Sequence, residues 1–155
     1  MKKNLKSGFT LVELIVVVGI LSVVIPGLMK LFIDTSQLGT MAGNKTLAIS
    51  EAQNKLESIR NLAFDNIMTT YGAVSGTPFD LTQLNGKGIV YAKNTTAPSN
   101  VDLLLVEVVI CWQDKYGRKI GEDVNLDGIL DAGEDLNGDT KISSLAKLTT
   151  RIARR

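Results

Sequence analysis

The chain has no histidine and a single cysteine, Cys111. Without imidazole, serine-histidine and cysteine-histidine catalysis lose their base and most zinc sites lose a usual ligand. One thiol cannot form an internal disulfide, which argues against a disulfide-stapled secreted fold. Net charge is nearly absent, at +1, and Lys2, Lys3 and Lys6 all stand ahead of the first apolar segment. A nucleic-acid binder would be more basic. At 155 residues there is room for one domain beside that apolar segment, and no second globular domain fits.

What the chain does have is the run from Phe9 to Met29, whose only charge is Glu13. Its 21 residues make a helix of about 31 Å at roughly 1.5 Å per residue, the thickness of a bilayer core. The lysines before it and the absence of any within it until Lys30 place the N-terminus in the cytoplasm and the remainder outside. An ordinary secretory signal carries its small-residue cleavage site after the apolar segment. Here a Gly-Phe junction lies in front, so the apolar segment would survive processing.

Gly8, Phe9, Thr10, Leu11 and Glu13 resemble, position by position, the type IV prepilin signature of a basic leader ending in Gly and then Phe-Thr-Leu-x-Glu. The resemblance implies a prepilin peptidase that cuts between Gly8 and Phe9 and methylates the new amine of Phe9. Losing the leader takes the side-chain balance to about −2. It further implies that the mature chain sits in membrane lipid before joining other pilins or pseudopilins in a helical filament. Within the membrane Glu13 is costly, by about 2.5 to 3.5 kcal/mol at mid-bilayer and less near the interface. Cleavage creates its counter-charge at Phe9, one helical turn away. The sequence leaves open whether Glu13 pairs with its own amine or a neighbour's; the resemblance implies a neighbour's. Pro26, with Gly19 and Gly27 nearby, is a weak point in the helix, and it stands about one turn before the proline usual in major pilins.

Beyond the membrane an apolar stripe of Leu38, Met41, Ala48, Ala52, Leu56, Ile59 and Ala63 predicts one continuous amphipathic helix, with Glu51–Lys55 and Glu57–Arg60 as exposed pairs. From Tyr71 to Asn100 the composition predicts irregular loop with one short strand at Gly88 to Lys93. Leu103 to Gln113 alternates as a strand whose Trp112 face meets the helix, and Leu145 to Arg155 alternates as its antiparallel partner. Cys111 reads as a small buried apolar residue and Trp112 as a core anchor. The fold class is α+β, a long N-terminal helix on a small antiparallel sheet. The divisions expected are a leader at 1–8, a membrane half-helix at 9–33, a soluble half at 34–66, and a β head at 67–155 with an insertion at 121–144. This second layer, Ala48 to Asp65 followed by Val106 to Trp112 and a Leu-x-Thr strand at Leu148, is similar to V-type minor pilins and I-type minor pseudopilins.

Residues 122–139 hold seven acids and no base. Asp123, Asn125, Asp127, Ile129, Asp131 and Glu134 fall at the ligand positions of the twelve-residue calcium loop, with Gly128 at its sharp turn. Carboxylates so crowded repel one another without a cation. One calcium ion is expected there, in a loop without the flanking helices of an EF-hand. Asp135, Asn137 and Asp139 begin a second loop, but Thr140 replaces its glycine and Ala146 its last acid, leaving a half-site.

The function expected is therefore structural, a minor pilin or pseudopilin of a type IV pilus or type II secretion filament with a calcium-stabilised head. A membrane-anchored, calcium-dependent binding or adhesion module that does not polymerise is the alternative, against which Glu13 and the cleavage motif count. An enzyme is not expected, since no nucleophile-base pair is visible.

Overall fold

The computed structural model describes residues 9–95 and 102–154, so Gly8 and Pro98 lie outside the described residues. Helix α1 (Leu11–Arg60) is followed by α2 (Phe64–Tyr71), β1 (Thr77–Asp80), β2 (Gly86–Asn94), β3 (Leu103–Gln113), β4 (Lys119–Ile120) and β5 (Ala146–Ala153). This is the α+β, pilin-like arrangement of a long apolar N-terminal helix and a small antiparallel sheet. The chain divides into two compact units, Met1–Thr40 and Met41–Arg155.

In the first unit α1 is long and apolar enough to cross a membrane. Every residue from Phe9 to Phe32 is exposed, so its valines, leucines and isoleucines have no packing partner among the described residues. The few hydroxyls turn back on the helix: Ser22 Oγ donates to Gly19 O at 2.7 Å and Thr35 Oγ1 to Leu31 O at 2.8 Å, which hides polar groups that lipid would not solvate. Pro26 sits inside the helix without a donor.

The second unit is built around β3. On one face Leu104, Val106, Val108, Ile110 and Trp112 pack with Ala48, Ala52, Leu56 and Ile59 of α1 and Ile67 of α2. The small alanines at a four-residue spacing let the helix lie close to the sheet. β3 pairs antiparallel with β2 along one edge, from Gly86↔Trp112 to Asn94↔Leu104, and with β5 along the other, from Leu103↔Ala153 to Ile110↔Ala146. The expected strand and its expected partner are thus both present. β4 continues the β5 edge through Trp112↔Ile120.

The opposite face of the sheet is buried as well. Ile89, Tyr91, Val109 and Cys111 form a second cluster with Ile142, Leu126 and Leu130. Those last three come from the segment between β4 and β5, which folds back over the sheet and is fastened by Ile142 N donating to Tyr91 Oη at 2.9 Å. Gly121, at φ +113, makes the first bend, and a side chain there would strike the Cys111 Sγ. Glu107, almost buried on this face, is paired with Lys147 of β5 and lies 3.7 Å from Lys141 Nζ.

Three expectations need correction. The helical stripe does not continue to Ala63: α1 ends at Arg60, Leu62 N closes a tighter turn on Ile59 O at 3.0 Å, and Ala63 is extended at ψ 139 before α2 starts. The loop after Tyr71 contains a strand that composition hid, β1, which carries Pro78 on the edge of the sheet where a missing donor is tolerated. Finally, Glu51 is not an exposed partner of Lys55. It is buried, and its Oε1 accepts from Thr82 N at 3.0 Å, Thr82 Oγ1 at 2.5 Å and Gln83 N at 3.0 Å, tying the β1–β2 connection to the helix. Lys55 lies over the rings of Phe79 at 4.6 Å and Tyr71 at 5.4 Å instead.

Candidate functional site

The acidic segment makes two loops with the same local geometry. In the first, Asp123 is wholly buried and its two oxygens accept from Asp127 N at 3.2 Å and Gly128 N at 2.9 Å. Asn125 Oδ1 accepts from Asp127 N, and Asp127 Oδ1 from Ile129 N at 2.7 Å. The chain can wind this tightly because Leu126 and Gly128 both take left-handed φ values, 61° and 82°. Gly128 also lies against Pro78 of β1, where an added Cβ would come within 2.5 Å.

Glu134 closes the turn: Oε1 accepts from Val124 N at 2.8 Å and Asn125 N at 3.3 Å, and Oε2 from Asp131 N at 3.1 Å. The Asn125 amide bridges the Asp127 and Asp131 carboxylates at 2.9 Å each. Burial pushes the Asp123 carboxyl above its usual range against the N–H groups of Gly128, Leu126 and Asp127, and the Glu134 charge pushes it further.

Twelve residues on, the pattern repeats. Asp135 Oδ1 and Oδ2 accept from Asp139 N at 3.1 Å and Thr140 N at 3.0 Å, Asn137 Oδ1 accepts from Asp139 N, and Asp139 Oδ1 accepts from Lys141 N. The left-handed positions are Gly138 at 73° and Thr140 at 61°, so threonine adopts the conformation for which the loop ordinarily uses glycine.

Glu122 was absent from the expected ligands, yet it stands where the second loop needs its last acid. Its Oε2 accepts from Ser143 N at 2.8 Å, the counterpart of the Glu134 bond to Asp131. Carboxylate oxygens of Glu122, Asp135 and Asp139 lie within 4.8 Å of one another, the one such trio among the described residues, and this acidic cluster could hold a metal ion. Each Glu therefore closes the loop opened by the other's neighbour: Glu134 precedes Asp135 and closes the loop of Asp123, while Glu122 precedes Asp123 and meets the loop of Asp135. The signal for this was the repeated Glu-Asp-x-Asn at Glu122 and Glu134.

At the other end, Thr10 Oγ1 accepts from Glu13 N at 3.3 Å and caps α1, and Glu13 occupies its first turn, where a carboxylate suits the helix dipole. Phe9 stands exposed just ahead of the helix. Residues 3–25 match the prokaryotic N-terminal methylation motif. The chain is type IV pilin-like. No curated protein matches it, and no solved structure does. For a type IV pilin-like chain the motif implies processing by a prepilin peptidase and assembly with other pilins, points to a structural protein rather than an enzyme, and together with α1 indicates a membrane anchor.

Proposed function

We propose that this chain is a minor pilin or pseudopilin of a type IV pilus or type II secretion filament, with a calcium-stabilised head. The observation that carries the reading is the methylation motif opening a helix whose apolar surface has no partner among the described residues. Lipid supplies that partner before assembly and the helices of neighbouring subunits supply it afterwards, so bilayer and fibre core are alternative apolar environments. Gly8 and Phe9 form the cleavage site, and Glu13 meets the methylated amine of Phe9 on a neighbour. The position of Pro26 supports a minor or pseudopilin role. Asp123, Asn125, Asp127, Ile129, Asp131 and Glu134 hold one calcium ion, the Ile129 carbonyl being its backbone ligand; Asp135, Asn137 and Asp139 hold a second with Glu122.

Mass spectrometry of isolated native filaments tests the assignment. This chain should be present and should begin at methylated Phe9, and Glu13→Val should insert in the membrane but drop out of the filament. Filaments lacking the chain, or containing it with Met1 intact, would overturn the reading.

A further inference from the structure

β5 is an edge strand. Arg154 N donates to Asp102 O at 2.8 Å, which fixes the phase of the ladder with β3: even-numbered residues of β5 bond to β3, and Lys147, Thr149, Arg151 and Ala153 turn their N–H and C=O groups to the open side. Thr95 N donating to Leu103 O on the other flank of β3 agrees with that phase. Along the open side runs a groove of about 600 Å³ between β5 and the turn joining α1 to α2, lined by Arg60, Leu62, Phe64, Arg151 and Ile152.

The charges beside this edge are of one sign, with Arg60 on the helix face next to Thr150 and Arg151, opposite Leu105, on the other face. Arg60 donates to Thr150 Oγ1 at 2.8 Å, and among the described residues neither it nor Arg151 makes an ion pair. Arg154, by contrast, is neutralised by Asp65 at 2.6 Å and Asp102 at 3.1 Å and stacked over Phe64.

We propose that this edge docks an extended acidic segment of a different protein by strand addition, its backbone completing the ladder on Thr149, Arg151 and Ala153 and the carboxylates of adjacent residues, which point to opposite faces of the strand, meeting Arg60 on one face and Arg151 on the other. A second copy of this chain is a poor occupant. Pairing β5 with β5 would bring the unpaired Arg151 charges of two copies together on one face, and the opposite edge, β1, is four residues long with a proline that cannot donate. The same charges that forbid self-pairing select an acidic strand.

The probe is a blocked, fluorescent peptide of paired glutamates and paired valines, which carries carboxylates on both faces of a strand, titrated into the full chain in detergent and compared with its lysine-valine counterpart. The acidic peptide should bind and the basic one should not, with slowed amide exchange at Thr149, Arg151 and Ala153. Thr149→Pro removes an outward N–H while leaving the β3 ladder whole, and should abolish binding. Arg151→Glu should weaken it about tenfold or more, the size expected of a reversed charge at a partly desolvated contact. Thermal melting of both variants, followed by Trp112 fluorescence, verifies that they fold. Equal binding of the two peptides, binding indifferent to both substitutions, no binding at all, or a dimer of this chain that Thr149→Pro dissolves would each overturn the proposal.

Discussion

Removing the Glu51 carboxylate should unfasten the β1–β2 connection from α1. A single oxygen, Oε1, accepts all three donors, Thr82 N, Thr82 Oγ1 and Gln83 N, on a side chain that is 7 % exposed. Glu51→Ala strands two backbone N–H groups in a partly buried site and opens a gap on the helix face. At about 1 to 3 kcal/mol for each unsatisfied group, discounted for water that can reach Thr82, the expected loss is about 3 kcal/mol. For a folded unit of this size that is roughly 12 °C in Tm. Glu51→Gln keeps an oxygen where Oε1 stands and gives up only the charge, so about 1 kcal/mol and roughly 4 °C should be lost. Trp112, the sole tryptophan, is buried against the helix and reports the unfolding of this core by fluorescence. An alanine variant that melts with the wild type, or a glutamine variant as damaged as the alanine, would refute the argument.

Two further outcomes follow from the acidic loops and the back of the sheet. Calorimetric titration of the detergent-solubilised chain should count two calcium ions, Glu134→Ala and Glu122→Ala each removing one; at a Kd of about 10⁻³ M, ten-millimolar calcium should add about 1.4 kcal/mol per site, and an unchanged Tm would reduce the loops to solvated turns. Burial pushes the Cys111 thiol up to about 11, so the folded state resists its ionisation. Stability should then be complete below about pH 8.5 and fall as pH rises toward 11, by about 2 to 3 kcal/mol, with Tyr91, raised by burial in the same direction, adding to the fall. Cys111→Ala should flatten that decline in Tm, and a slope equal to wild type would count against it.

What was legible in the sequence was whatever repeats locally. The β3 alternation, its antiparallel partner in β5 and the stripe from Ala48 to Ile59 all follow from side chains facing one way at a fixed period. The break after Arg60 was not legible, because Leu62, Ala63 and Phe64 keep apolar residues in helical reach across it. Glu51 looked like an ion-pair partner of Lys55 because spacing sees four residues along a helix and cannot see Thr82, 31 positions away. The acidic loops divided the same way. Asp123 to Glu134 is contiguous and readable, but the second loop draws on an acid that lies before the first, and only folding brings Glu122 to Asp135 and Asp139.

The segment between β4 and β5 is irregular and polar, the kind of stretch that engineers trim first. Joining Ile120 directly to Ala146 through a short glycine-serine turn would leave every strand pairing intact, since none of the ladders uses the intervening residues. It would also strip Ile89, Tyr91, Val109 and Cys111 of their cover, leaving a flat apolar strip on hydrogen-bonded strands, a surface prone to sticking to copies of itself. In this head a loop takes the place of the second sheet of a sandwich. Variation in it is therefore constrained twice over, by its acids and by the three greasy side chains, Leu126, Leu130 and Ile142, that hold solvent off the strands beneath.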